Sequence, residues 1–344
     1  MPSTMYTNRG ALKLLAGAAL MLAGRYLVSR LLSTERPIEA PKKWRPEEFT
    51  WLKCPGGNIV YVESEGQKNA QPLVFIHGLN ANRYQWFYQR ARFKKDFRLI
   101  YIDLPGHGRS PRPRDLSIKT LGEDLKYILD YLELQSPYIY GHSMGGMQAL
   151  QYAADAKAAI NAKGLIIHHT TFTNPVRTCA FSTILSPIQF PVLRPFLRLA
   201  SNLELPFWIL CVINYLNGTT SAFFRYIFFT GKQTSAQLQY MTELSVGVSP
   251  AVVAQSLLEM FKYDLSEKLK DVNVPVLIIS AFNDRLTVPA ASYIMQSKIK
   301  NAELRLLHQG HLSLIENPSG VNRVLASFLQ PLSNPDLTAS PDRP

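Results

Sequence analysis

Ser143 stands in Gly141-His142-Ser143-Met144-Gly145-Gly146, between the apolar run Tyr138-Ile139-Tyr140 and the helix-compatible run Met147–Ala153. A serine with glycine two residues to either side, at a strand-to-helix corner, has the spacing of a nucleophile elbow. The turn is tight enough that larger flanking side chains would meet backbone, which leaves glycine at those places. It lifts the hydroxyl clear of the sheet. It also aims the next N–H, that of Met144, at the place where charge would build on a carbonyl oxygen. A plain glycine-rich turn would use the same residues, so the groups that activate a serine must decide.

An alcohol is a poor nucleophile near neutrality and needs a base. Imidazole suits because its pKa lies near working pH, and a carboxylate then fixes its tautomer and stabilises its charged form. Candidates are sought after the apolar runs, because open α/β sheets bind ligands beyond the carboxyl ends of their strands. His77-Gly78-Leu79-Asn80 follows Phe75-Ile76, and Asp103-Leu104-Pro105-Gly106-His107-Gly108-Arg109-Ser110 follows Tyr101-Ile102. Ala281-Phe282-Asn283-Asp284-Arg285 follows Ile278-Ile279-Ser280, and His308-Gln309-Gly310-His311 follows Leu306-Leu307. Asp284 could instead cap a helix ahead of Thr287-Val288-Pro289. Beyond Leu165–Ile167 stand only His168, His169 and threonines; the two histidines are placed to line a site, but nothing in the sequence gives them a role. His308 and His311 compete for the part of base.

The elements that would position these groups alternate. After a hairpin signal at Pro55-Gly56-Gly57, strands are predicted at Leu73–Ile76, Leu99–Ile102, Tyr138–Tyr140, Leu165–Ile167, Val276–Ser280 and Leu304–Leu307. Helices fall at Tyr84–Phe93, Leu121–Leu132, Met147–Ala154, about Ala290–Lys298 and Val321–Leu329. Short apolar runs alternating with helices predict an α/β fold: a mostly parallel sheet covered by helices on both faces. The domain reading is an N-terminal anchor segment and linker over 1–47, a core over 48–170, a helical cap over 171–265, the rest of the core over 266–330, and a disordered tail over 331–344.

Residues 71–169 and 272–330 resemble the α/β-hydrolase superfamily, with HGLN, DLPGHGRS, GHSMGG, the strand-end Asp284 and Gly310-His311 in register. The resemblance implies Ser143 as nucleophile, Asp284 as acid and His311 as base, in that family's chain order. It selects His311 over His308 because Gly310 precedes it and Ile315-Glu316-Asn317-Pro318 follows. It implies an oxyanion hole from the backbone N–H groups of Leu79 and Met144, with Asp103 ordering its loop and His77, His107 and His142 as hydrogen-bonding supports. It requires no metal and no organic cofactor, and Ser143 excludes the aspartate nucleophile of epoxide hydrolases and dehalogenases. Ester hydrolysis through an acyl-enzyme is the reaction implied first. Carbon–carbon hydrolysis, thioester hydrolysis and acyl transfer share the triad. A non-catalytic ligand receptor has no need of all three groups.

Five prolines, Pro175, Pro187, Pro191, Pro195 and Pro206, break the inserted segment into short helices rich in apolar residues, such as Phe207-Trp208-Ile209-Leu210. The superfamily commonly places a cap there, and a greasy one fits a small, lipophilic ester. The chain carries a net charge of +12. Eight Lys/Arg against two Glu lie within residues 1–45, beside an apolar stretch from Ala11 to Leu32, a pattern that fits anionic lipid rather than nucleic acid. The clean apolar core, Leu14 to Gly24, is short of the ~20 residues that span a bilayer, and Arg25 and Arg30 disfavour a cleaved signal. An uncleaved anchor, spanning or interfacial, is expected, with the following domain on the cytoplasmic side by the positive-inside rule. The architecture is similar to membrane-anchored monoacylglycerol-lipase-like hydrolases. Cys54, Cys179 and Cys211 make no metal or disulfide pattern and are expected to be buried thiols.

Overall fold

The computed structural model describes residues 17, 23–155 and 161–329. Most of the clean apolar core Leu14 to Gly24 of the segment expected to anchor the chain, and the tail from 331, lie outside the described residues. Strands β1 (Glu48–Lys53), β2 (Ile59–Glu65), β3 (Pro72–Ile76), β4 (Arg98–Asp103), β5 (Tyr138–His142), β6 (Gly164–His168), β7 (Val276–Ala281) and β8 (Ala302–Leu307) form one sheet, ordered β1-β2-β4-β3-β5-β6-β7-β8. The hairpin β1–β2 and the β2–β4 pair are antiparallel, and the others are parallel. The expected mostly parallel sheet is therefore present, with an antiparallel edge.

Strands β3 to β7 are buried on both faces because each is a continuous apolar run, as parallel strands under two helical layers must be. Alternate residues enter different cores. Val74, Ile100, Ile139, Ile167 and Ile278 pack with α3 (Ile118–Tyr131), α4 (Met144–Ala154) and α11 (Pro289–Lys298). Phe75, Tyr101, Tyr140, Ile166 and Ile279 pack with α2 (Phe87–Phe93) and α13 (Pro318–Phe328). The helix expected over Tyr84–Phe93 begins as a 3-10 turn, Arg83–Trp86, capped by Asn82.

Between β6 and β7 lie α5 (Ser182–Ile188), α6 (Arg194–Asn202), α7 (Glu204–Leu216), α8 (Thr219–Ile227), α9 (Ser235–Val246) and α10 (Pro250–Met260). The segment leaves and returns at one place: Leu265 N–H donates to Phe172 O at 2.8 Å, and Thr173 and Asp264 form a bridge. Within it, α9 buries Leu238, Tyr240, Met241 and Leu244, whereas α5 and α7 bury no residue. Cys54 and Cys179 are buried as expected, but Cys211 is exposed because it sits on α7. Residues 23–31 form a helix, α1, packed on the corner between α7 and α8, where Ser29 Oγ lies 3.0 Å from Ser221 Oγ.

Among the described residues no single helix is long and apolar enough to cross a membrane. Two helix pairs reach that length only when bent by 99° and 88°.

Candidate active site

Strand β5 ends at His142, α4 starts at Met144, and Ser143 between them takes φ 52° and ψ −118°. A non-glycine residue held there costs ~1–3 kcal/mol, which the surrounding packing must overcome. That packing is visible. A side chain on Gly141 would strike Gly145 O, and one on Gly145 would strike Ile76 O, while Gly146 faces Thr170. Ser143 N–H donates to His168 O at 3.0 Å, and Thr170 Oγ1 donates to Ser143 O at 2.6 Å. The corner is thus wedged between β3 and β6.

The loop after β3 lies directly against the serine: a Cβ on Gly78 would stand 3.1 Å from Ser143 Cβ and 2.8 Å from His142 Nδ1. Leu104 N–H donates to His77 Nε2 at 3.0 Å, so His77 Nδ1 carries the proton and donates to Gly78 O at 2.8 Å. Asn80 N–H donates to His107 Nε2 at 3.3 Å. His77 and His107 therefore brace this loop, the role the resemblance implied. Leu79 N–H donates no hydrogen bond among the described residues. Met144 N–H heads α4 and is one of the orphan donors of a helix start.

Asp103 orders the loop after β4. It accepts from Arg83 N–H at 2.8 Å, Arg83 Nη1 at 2.5 Å and Arg109 N–H at 2.9 Å, and Arg83 Nε donates to Glu63 at 2.7 Å. All three charged side chains are buried.

Asp284, just past β7, uses its two oxygens differently. Oδ1 accepts from Leu286 N–H at 2.8 Å and Thr287 N–H at 3.1 Å and so closes a turn, whereas α11 starts only at Pro289 with Val288 at its N-cap, so Asp284 is not the helix cap the sequence left open. Oδ2 accepts from Thr287 Oγ1 at 2.6 Å and His311 Nδ1 at 2.9 Å. Burial opposes ionisation of Asp284. The facing His311 and His169 and their hydrogen bonds outweigh it and hold the carboxyl well below the ordinary carboxylate range. His311 is buried, and its carbonyl accepts from His142 Nε2 at 3.0 Å. The competitor His308 is exposed and lies beside Phe282. The structure thus brings His311, and not His308, to the acid.

Where a carboxylate could have followed β6, the chain places imidazoles, and the sequence did not reveal their use. His169, with φ 47°, puts Nδ1 3.1 Å from Asp284 Oδ2, off a good hydrogen-bond direction. His169 Nε2 and His168 Nε2 each lie 2.8 Å from Ser313 Oγ, and Tyr140 OH lies 2.6 Å from His168 Nδ1. Burial pushes His168 well below its ordinary pKa and His169 down as well, so both are neutral. One proton order then satisfies the chain. Tyr140 OH donates to His168, His168 Nε2–H to Ser313, Ser313 Oγ–H to His169, and His169 Nδ1–H points to Asp284. The only signal for this in the sequence was the His168-His169 pair beyond a strand end.

The inserted helices meet the site through α8. Phe228 O accepts from Leu312 N–H at 3.1 Å, its ring is 5.8 Å from that of His311, and Tyr226 O accepts from Arg285 Nη1 at 2.6 Å. Buried Glu316 accepts from Thr230 and Lys232 N–H, tying the chain after α8 to the helix α12 (Ser313–Glu316). Among the described residues no group of three or more His, Cys, Asp or Glu could hold a metal ion.

Comparison with known proteins agrees with this fold. A family model described as alpha/beta hydrolase fold matches residues 71–318. The chain is 25% identical to 3-oxoadipate enol-lactonase 1 of Acinetobacter baylyi, over 80% of this chain and 94% of that protein. It is 23% identical to monoacylglycerol lipase ABHD6 of Rattus norvegicus, over 83% and 86%. Among solved structures, an esterase from Exiguobacterium antarcticum aligns with a TM-score of 0.63 and 23% identity, covering 81% of this chain and 98% of that one.

Proposed function

Since the chain belongs to the α/β-hydrolase fold family and is an enzyme of that kind, we propose that it cleaves carboxylic esters through an acyl-enzyme on Ser143. The observation that carries this reading is the buried 2.9 Å contact between Asp284 Oδ2 and His311 Nδ1, with His311 O bonded to His142, the chain neighbour of a serine held in strained backbone. With Nδ1–H fixed by Asp284, His311 Nε2 is the basic nitrogen. It takes the proton of Ser143 Oγ as that oxygen attacks the ester carbonyl. The N–H groups of Leu79 and Met144 hold the resulting oxyanion. Collapse expels the alcohol, which leaves with the proton from His311. Water, deprotonated by the same nitrogen, then attacks the acyl carbon and frees Ser143.

The substrate in this reading is a lipophilic acyl ester. The inserted segment 171–265, taken as a cap, brings Phe228 beside the base, and one relative is named a monoacylglycerol lipase. The chain is held at a membrane by its N-terminal segment, with the domain on the cytoplasmic side. The basic residues that follow the apolar stretch support this.

A fluorophosphonate probe tests the chemistry: it should label Ser143 and fail on Ser143→Ala. Labelling that survives the change would sink the assignment. Hydrolysis of p-nitrophenyl esters of rising chain length tests the substrate class, and a rate that falls from acetate onward would remove the lipophilic part.

A further inference from the structure

Helix α7 reads ELPFWILCVINYL, and none of its residues is buried. Leu205 is 66% exposed, and Phe190, before α6, is equally so. Trp208, Ile209 and Leu210 are exposed as well, as is Phe223 on α8. Apolar residues in such number on adjoining helices exceed the scattered exposure normal for a monomer and mark an interaction surface.

Charge points to the partner. From Arg177 to Lys232 there are five cations, Arg177, Arg194, Arg198, Arg225 and Lys232, and one anion, Glu204. Glu204 is already paired with Arg112 at 3.2 Å and accepts from Ser249 Oγ. Arg194 lies over the Phe190 ring at 5.1 Å and Arg225 over the Tyr226 ring at 5.3 Å. An apolar face fringed by cations on aromatic rings has the composition of a helix that lies in a lipid headgroup boundary.

Chain continuity points the same way. Helix α1 packs on the α7–α8 corner so closely that a Cβ on Gly24 would stand 2.6 Å from Asn217 O. Helix α1 therefore begins beside this face. Tyr26 and Leu27 of α1 are themselves half exposed there.

We infer that the exposed face of α6, α7 and α8 is a second membrane-docking surface, seated in the headgroup layer of an anionic bilayer. It does not depend on a spanning N-terminal segment. Phe223 and Phe228 rings are 5.9 Å apart, and Phe228 adjoins His311, so an acyl ester in the lipid meets an aromatic path from this face to the base. The inference shares with the proposed function the premise of work at a lipid surface, but not its serine chemistry.

The test uses the full chain with vesicles of phosphatidylcholine and phosphatidylglycerol, some of it brominated on the acyl chains. Bromine should quench tryptophan emission in the native protein, and Trp208→Phe should remove most of that quenching while hydrolysing p-nitrophenyl acetate at the native rate. Arg194→Gln with Arg198→Gln should weaken partitioning to the anionic vesicles by roughly tenfold or more. Vesicle binding with quenching unchanged by Trp208→Phe would overturn this surface and leave the N-terminal anchor standing. A Trp208 shielded from iodide before lipid is added would overturn it too: shielding that depends on protein concentration means a second copy covers the face, and shielding that does not means residues 1–22 do. No binding at all would remove both membrane claims, whereas fluorophosphonate labelling of Ser143 would still report the triad.

Discussion

Asp103 and Asp284 both stand at the ends of buried strands, and both are stripped of water. Their neighbours differ. Asp103 faces a guanidinium, Arg83, and two backbone N–H groups; Asp284 faces two imidazoles, a hydroxyl and two N–H groups. A guanidinium keeps its charge at any ordinary pH, so the first carboxylate is a permanent brace. An imidazole gains and loses a proton near neutrality, so the second can follow a reaction. Burial supplies the strength of both, and the partner decides whether that strength is static.

Substitutions can break this contrast. The largest effect is expected at Asp284→Asn, which keeps the shape but fixes the wrong tautomer on His311. kcat should fall by about 10⁴-fold, with circular dichroism unchanged. A loss under tenfold would mean that another group supports the base. Next, Arg83→Met leaves Asp103 and Glu63 buried without their cation and should cost about 3–5 kcal/mol in urea unfolding, while kcat per folded molecule at low temperature stays near native. A large kcat loss in the folded fraction would make Asp103 more than a brace.

The imidazoles also set a pH dependence of stability. Burial pushes His77 down to about 4 and His107 to about 3, and lowers His142, His168 and His169. The unfolded chain therefore takes up protons that the folded one refuses. Stability should be full above about pH 6.5 and decline below it, steepening toward about 1.4 kcal/mol per pH unit for each such histidine. Asp284, depressed in the fold, adds a further loss below the ordinary carboxylate value. Urea midpoints measured from pH 8 to 4 check this; a flat profile would contradict the neutral, buried cluster.

A smaller effect isolates His169. His169→Phe removes one neighbour of Asp284 and should lower kcat by about 2- to 10-fold, the worth of an ordinary hydrogen bond, because the contact is off a good hydrogen-bond direction. The acid limb of the kcat/KM profile should move to higher pH, because Asp284 loses one of the contacts that keeps it ionised. A purely structural role would leave that limb in place. Least of all, His308→Ala, at an exposed position, should change kcat/KM by less than about twofold.

Strands β3 to β7 were legible because doubly covered parallel strands must be unbroken apolar runs. The glycines of the elbow were legible because backbone occupies the space a Cβ would need. Asp284 and the pair His308 and His311 were found from their places after strands, the resemblance then choosing His311, and Asp103 was found from its loop motif. The chain from Tyr140 through His168 and Ser313 to His169 was not legible. Single bonds in it join residues up to 145 positions apart, on β5, at the end of β6 and on α12, and no local pattern encodes that meeting. The inserted helices were seen only as short and greasy. That α9 would join the core while α7 stays uncovered depends on which side of the sheet each returns to, which composition does not carry.

The hydrogen bond from Leu265 to Phe172 has a consequence for how this protein can vary. The two ends of the inserted segment already touch, so replacing some ninety residues there with a longer or shorter stretch changes the loop-closure entropy only by the logarithm of the length ratio. The sheet, and the strand ends that carry Ser143, Asp284 and His311, would not need to be re-registered. The insertion behaves as a cassette on a hinge of fixed width: selection can exchange the outward surface of α5 to α7 as long as the ties from Phe228, Thr230 and Lys232 to the chain around His311 and α12 are kept.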